Sequence, residues 1–221
     1  MPPPRRLTNL LALAVLGVLA QRPMHPYEIA TTLRDYGKDT SFKIKWGSLY
    51  SVVQTLEKRE LIAATATARQ GGRPERTIYA LTETGRTELA DWLRELISVP
   101  EHDYPRFEGA LSLLAVLPPD EVGRLLQGRL RRQEGALAAG RASMEHYAQE
   151  LPRLLLIENE YHLALLEAEV RWLRAVVEEF TAGTFPGLAE WRHYHETGTS
   201  PALGSGPPPT HTDPTPEAPT P

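Results

Sequence analysis

The sequence predicts a mainly α-helical protein with one small β-hairpin: a winged helix domain followed by a helical dimerisation region. Three observations carry that reading. Apolar residues recur at three- and four-residue steps along most of residues 8–180, the spacing of one face of a helix. The helical period breaks once, over residues 61–81, where two short β-branched-rich runs flank the turn-forming stretch RQGGRPER. Charge also divides along the chain: residues 1–98 hold 14 Lys and Arg against 10 Asp and Glu, whereas residues 99–221 hold 10 against 18. The excess of positive charge in one half suits a polyanionic partner for that half alone.

Residues 8–21 read as a first helix, apolar nearly all round as a helix enclosed by neighbours must be, with Thr8 expected to cap it. A second helix is expected from Pro26, a residue tolerated in the first turn, to Gly37, with Ile29, Ala30, Leu33 and Tyr36 on its apolar face. In a third, over residues 46–60, Leu49, Val52, Val53 and Leu56 share one side. Strands are expected at residues 61–67 and 77–81, joined by a Gly-Gly turn whose tip is residues 70–74. Thr82 is then placed to cap a fourth helix, along which Gly85, Leu89, Trp92, Leu93 and Leu96 form a stripe. Helix, helix, helix, hairpin, helix is the order of a winged helix.

Residues 100–105, bounded by prolines, read as a hinge. Helical segments follow at residues 107–117, 120–150 and 154–180, separated by Pro118-Pro119, with Asp120 as the expected cap, and by Pro152. The last carries Ile157, Tyr161, Leu165, Ala168, Trp172 and Val176 in alternating steps of three and four, a seam suited to a coiled-coil-like contact with a second copy. From residue 198 the chain is rich in Pro, Thr and Gly with almost no large apolar residue, the composition of a disordered tail. The expected organisation is residues 1–98, a DNA-binding domain; residues 99–197, the helical dimerisation region; and residues 198–221, the tail.

Several function classes fall away. Without cysteine there is no disulfide, thiol nucleophile or thiolate-ligated zinc. No Gly-rich phosphate loop, activated serine or paired acids emerge, so the expectation is a protein that is not an enzyme and needs no cofactor. His193, His195 and Glu196 have no third strong ligand nearby, so no metal site is expected. His25, His102, His146 and His162 are scattered, and structural or exposed roles are expected of them. The apolar run at residues 10–20, after MPPPRR, has the outline of a signal peptide. Its eleven residues are too few to span a bilayer, and its place as first helix of a longer unit sets export aside. A cytoplasmic protein without membrane association is expected.

Four segments in order carry a family resemblance: RPMHPYEI (22–29) after the apolar first helix, GSLYSVVQTLEKRELI (47–62), GGRPERTIYALTETG (71–85), and a C-terminal part with ALSLLAVLPPDE and EAEVRWL. With these, residues 7–180 resemble the PadR family of transcriptional regulators. The resemblance implies a dimer that binds operator DNA, mostly to repress, and in some members responds to aromatic effectors near the dimer interface. This chain departs from the family pattern at Pro26, where Gly is usual, at Lys45 and Trp46, where a capping Ser or Thr and a Pro are usual, and at Ser51, where Pro is usual.

On the third helix Gly47, Ser51, Gln54 and Lys58 lie opposite the apolar side, with Ser48 at the tip and Tyr50 and Thr55 on the flanks. Small residues at the tip let such a helix enter a major groove, and Gln54 can pair bidentately with adenine. Lys43 and Lys45 precede it and suit phosphates. Arg69, Arg73 and Arg76 surround the wing turn and suit the backbone or a minor groove. Tyr50 is either a core-edge aromatic or a phosphate donor, and the resemblance implies the latter. A solvated helix face and a solubilising loop are the plain alternatives to each of these roles, and a winged-helix adaptor that does not bind DNA is the alternative for the whole chain. Tyr161 and Trp172 raise a small aromatic effector, against simple packing on the seam.

Overall fold

The computed structural model describes residues 9–37, 46–68, 76–101 and 103–198, with the backbone alone for Trp46, residues 66–68 and Arg76. The chain divides between Asp103 and Tyr104 into two compact units.

The first unit holds α1 (Leu10–Leu19), α2 (Pro26–Asp35), α3 (Trp46–Lys58), β1 (Ile62–Ala68), β2 (Arg76–Leu81) and α4 (Glu83–Ser98). Helix α1 is apolar on every side because α2, α3, α4 and β2 all pack around it. Val15 and Leu16 are fully enclosed there. Ile29, Ala30 and Leu33 of α2, and Leu49, Val52, Val53 and Leu56 of α3, close the same core, with Tyr79, Leu81, Leu89 and Trp92 at its edge. Asn9, not Thr8, caps α1: its Oδ1 accepts from the Leu11 N–H at 3.0 Å. An Asn side chain makes this bond as well as a Thr hydroxyl does, and it sits one residue nearer the first turn. Helix α2 opens with a reciprocal cap, the Tyr27 N–H donating to His25 Nδ1 and the His25 N–H to Glu28 Oε2, so His25 is structural.

Strands β1 and β2 pair antiparallel, from Ile62 opposite Leu81 to Ala68 opposite Arg76. The register shifts between Ala64 and Ala66, leaving Thr65 as the extra residue of a β-bulge. Met24, in the loop after α1, exchanges both backbone hydrogen bonds with Tyr79 at 3.0 Å and so ties β2 to the helical core. The predicted hairpin tip, residues 70–74, lies outside the described residues.

The hairpin is fastened where it meets α3 and α4. Thr82 caps α4 by accepting from the Gly85 N–H at 2.9 Å, and its hydroxyl donates to the Glu60 carbonyl at 2.7 Å. The Thr82 N–H donates to the Leu61 carbonyl at 3.1 Å. Gly85 is buried against that same carbonyl, and a Cβ there would collide with the Leu61 oxygen and crowd the Leu81 side chain.

The second unit holds α5 (Arg106–Leu111), a 3₁₀ turn at Leu114–Val116, α6 (Pro119–Tyr147), a 3₁₀ turn at Arg153–Leu155, α7 (Ile157–Ala182) and α8 (Leu188–Thr197). The single segment expected over residues 107–117 is thus a short helix and a separate 3₁₀ turn. Asp120 is not the cap of α6. Pro118 precedes the helix and Pro119 fills its first position, where a missing N–H costs nothing. Asp120 instead receives the Arg192 guanidinium at 2.8 Å.

Helices α6 and α7 run antiparallel, with Val122, Leu126, Leu130 and Leu137 facing Leu166, Val170 and Leu173. Arg129–Glu169 at 2.6 Å, Arg141–Glu167 at 2.8 Å and Arg174–Glu134 at 2.6 Å bridge the pair. Gly183, at φ +71°, ends α7 in the left-handed conformation that glycine adopts without cost. The chain then returns as α8, which the sequence reading did not foresee. Leu188 and Trp191 are buried with Phe180 and Phe185, and the Trp191 indole donates to the Leu117 carbonyl at 3.0 Å. His195 Nε2 lies 3.0 Å from the Ala115 carbonyl, so one of the two histidines considered for a metal is engaged in packing the helix.

Two substitutions test the hairpin junction. Thr82→Ala should lower unfolding free energy by about 1–2 kcal/mol, the usual loss of an N-cap. Gly85→Ala should cost at least as much, on the order of 1–3 kcal/mol for overpacking against backbone that cannot yield easily. Urea unfolding followed by circular dichroism checks both; unchanged midpoints would show that the junction does not hold the unit together.

Candidate nucleic-acid interface

Helix α3 is two-faced. Leu49, Val52, Val53 and Leu56 are buried, whereas Gly47, Ser48, Tyr50, Ser51, Gln54, Thr55 and Lys58 are exposed. The expected face is therefore presented to solvent on a helix whose other side is anchored in the core. Side-chain hydrogen bonds order two of its residues: the Ser51 hydroxyl donates to the Gly47 carbonyl at 3.0 Å, and the Thr55 hydroxyl to the Ser51 carbonyl at 2.8 Å. Beside them Asn9, Gly47, Ser48, Ser51, Val52 and Thr55 line a concavity of about 370 Å³. Asn9 and Thr55 were not among the predicted site residues. The polar position just before the apolar run of α1 was the available signal for Asn9, but only the fold sets that position beside α3.

The predicted basic residues are less fully placed. Lys43, Lys45, Arg69 and Arg73 lie outside the described residues, and Arg76 is described only as the β2 residue paired with Ala68. One acidic group also lies on α3. Glu57 accepts from the Tyr79 hydroxyl at 3.3 Å, linking the helix to the wing strand. Burial, then the Glu57 charge and this hydrogen bond, hold the Tyr79 phenol above its ordinary value of 10.0.

On α7 the predicted seam divides. Ile157, Tyr161, Leu165 and Trp172 are 57%, 66%, 53% and 43% exposed, and Ala168 is exposed too, while Val176 is half-buried within its own unit. The side of α7 packed on α6 is a different one, built on Leu166, Val170 and Leu173. Trp172 stands edge-on to Phe107 with ring centroids 6.1 Å apart, and the Arg129 guanidinium lies 3.6 Å from the Phe107 ring centroid. Tyr161 and Trp172 are eleven residues apart on one helix, roughly 16 Å at 1.5 Å per residue, so a single chain does not bring them together around a small ligand.

Among the described residues no group of three or more acidic or histidine side chains is arranged to hold a metal ion. No helix among them is long and apolar enough to cross a membrane.

Comparison with known proteins agrees with this architecture. Residues 15–91, from within α1 to within α4, match the model of the transcriptional regulator PadR-like family. The negative transcriptional regulator PadR of Bacillus subtilis is 25% identical over 137 residues, which cover 62% of this chain and 74% of that protein. The crystal structure of B. subtilis PadR in complex with operator DNA superimposes with a TM-score of 0.64 at 22% identity, over 79% of this chain and 99% of that one. Its structure in complex with p-coumaric acid gives a TM-score of 0.64 at 20% identity, over 78% and 99%. The Vibrio cholerae virulence activator AphA gives 0.60 at 18% identity, over 78% and 98%. At these identities the structures speak for a shared fold, extending beyond the matched segment into the C-terminal helices. With the family match and the winged helix itself, residues 15–91 belong to the PadR-like family of transcriptional regulators, which are not enzymes.

Proposed function

We propose that this protein is a sequence-specific DNA-binding regulator that acts as a dimeric repressor on a pseudo-palindromic operator in the cytoplasm. The observation that carries the reading is α3, whose apolar side is locked in the core while Gly47, Ser48, Tyr50, Ser51, Gln54 and Lys58 face outward beside a hairpin. That is the form in which a helix enters a major groove. Gln54 and Ser51 then meet base edges; Lys43, Lys45, Tyr50, Lys58 and the wing arginines Arg69, Arg73 and Arg76 hold the backbone or a minor groove. Residues 1–98 bind DNA, residues 99–197 form the dimer and residues 198–221 are dispensable for DNA binding. The repressor sign rests on the name of the B. subtilis relative.

Binding measured on two operators at several salt concentrations tests this. Log affinity should fall by about 0.9 per neutralised phosphate as log salt rises. Gln54→Ala should relax preference at one position per half-site, costing about 1–3 kcal/mol of discrimination. Lys45→Ala should weaken all sequences alike and flatten the salt slope by about one unit. No salt-dependent binding to duplex DNA would favour the adaptor reading instead.

The dimer reading is supported by the exposed side of α7. Ile157, Tyr161, Leu165, Ala168 and Trp172 make a second apolar side on a helix whose first is already covered by α6. Another α7 meeting it would bury the seam, Val176 included at its end. In sedimentation at micromolar concentration the wild type should run as a dimer, and Leu165→Asp should yield folded monomer with unchanged helix content. A monomeric wild type would remove the proposal.

Response to a small aromatic effector extends the reading, supported by the p-coumaric acid bound to the B. subtilis protein and by the half-exposed Trp172 against Phe107. Added p-coumaric acid should quench fluorescence saturably in the wild type and less in Trp172→Phe, and should weaken operator binding. Quenching that is linear and equal in both would rule out a site at Trp172.

A further inference from the structure

Resting on the operator reading above, the hydrogen bonds of α3 add the chemistry of the bases it selects. In the major groove adenine and cytosine present amino donors (N6 and N4), whereas guanine and thymine present the acceptors O6 and O4 at the corresponding positions. A free serine or threonine hydroxyl suits either kind of edge, because its proton rotates. Ser51 and Thr55 are not free in this sense. The Ser51 proton is directed to the Gly47 carbonyl at 3.0 Å and the Thr55 proton to the Ser51 carbonyl at 2.8 Å, two consecutive bonds back along one row of the helix. Each hydroxyl thus meets the groove with its lone pairs. Turning either proton outward towards an O6 or O4 would sacrifice a bond to a backbone carbonyl.

The same two side chains line the concavity between α3 and the start of α1. Val52, buried in the core, and Asn9 line it too. The Asn9 Oδ1 is committed to the cap on Leu11 N–H at 3.0 Å, so what Asn9 offers a ligand is its amide N–H₂, a pair of donors. The concavity therefore carries acceptors on the α3 side and donors on the α1 side. This is the polarity needed by an exocyclic amino group on one side and a phosphate oxygen on the other.

We infer that Ser51 and Thr55 select adenine or cytosine through the exocyclic amino group, with Asn9 holding the phosphate beside that base. Gln54, which both donates and accepts, does not impose this choice. Thr55 thereby joins the specificity-determining residues, and Asn9 the positioning ones.

The test begins with selection of bound duplexes from a randomised pool by the full-length protein. Ser51→Ala and Thr55→Val then identify the positions whose preference each residue sets. At those positions adenine is replaced by purine, or cytosine by 2-pyrimidinone, which lack only the amino group. The same replacement at an uncontacted position corrects for weakened base pairing. The wild type should lose on the order of tenfold affinity per amino group removed, whereas the matching variant should bind both duplexes alike. Asn9→Asp, which keeps the cap acceptor but removes the donors, should weaken every sequence equally without changing the preference. A selected site indifferent to the amino groups, or one that instead weakens when thymine is replaced by uracil, would overturn this inference and leave the operator reading standing. A pool from which no sequence is enriched would overturn both.

Discussion

The wing and the helix beside it depend on a single junction, the Leu61 carbonyl. It receives the Thr82 N–H and lies against Gly85, while the Thr82 hydroxyl reaches the neighbouring Glu60 carbonyl and accepts from Gly85. These few atoms close the loop formed by β1, the turn and β2, and they start α4 at the same point. The approach also fixes the end of α3. Arg59 and Glu60 donate back to Thr55 and Glu57, and Leu61 N–H reaches the Leu56 carbonyl at 3.0 Å, the long bond of a Schellman-type ending. Glu60 takes φ +59° to allow this, where glycine is usual, and a non-glycine residue there carries a cost of roughly 1 kcal/mol. The cost is tolerable because the strand that follows is bulged and paired with β2, which is itself tied to Met24. The orientation of α3 towards a partner thus follows from backbone geometry at its C-terminus as much as from the apolar side that anchors it.

Much of this was visible in the sequence, because the signals were local. The three-and-four spacing of Leu49, Val52, Val53 and Leu56 identifies the buried side of α3 without any knowledge of its neighbours, and the exposed side follows by subtraction. Thr82 was readable as a cap since the strand period ends at Leu81 and the helical stripe begins at Gly85. What sequence did not give depends on distance in the chain. Asp120 looks like a cap beside Pro118-Pro119, yet its partner is Arg192, seventy-two residues away. Helix α8 is short, its sequence LAEWRHYHET is mostly polar, and only Leu188 and Trp191 are buried. Two apolar positions establish no period, so the helix is defined by the aromatic cluster it meets. Asn9 belongs to the same class, since its relation to α3 is made by α1 packing across that helix.

Helix α7 shows a different limit. Its apolar residues do not form one stripe but two, and the sequence seam from Ile157 to Trp172 is the one left uncovered by α6. Periodicity alone cannot assign two stripes to their partners. Ion pairs help to decide the matter here: Glu167 and Glu169 reach Arg141 and Arg129, and Arg174 reaches Glu134, which fixes the α6 side of α7. The two exposed pairs, Arg141–Glu167 and Arg174–Glu134, contribute little stability, but their opposite signs set which faces meet. Apart from Trp172, which meets Phe107, the residues of the seam left over after that assignment are exposed among the described residues.

The departures from the family pattern at the start of α3 take on a physical meaning in this light. Where the family resemblance implies a proline, this chain has Ser51. A proline in the second turn has no N–H to give the carbonyl four residues back, and its ring crowds that carbonyl. Ser51 has an N–H to give and adds a second donor, its hydroxyl, to the same Gly47 oxygen. The Gly47 carbonyl in the first turn of the helix thereby receives the Ser51 hydroxyl as well. The substitution also puts an oxygen where the family pattern puts a hydrocarbon ring, on the side of α3 that faces outward. Thr55, one turn on, repeats the arrangement on the Ser51 carbonyl. A change that serves helix geometry has therefore altered the chemistry of the exposed face, and the two effects cannot be separated because they use the same atom.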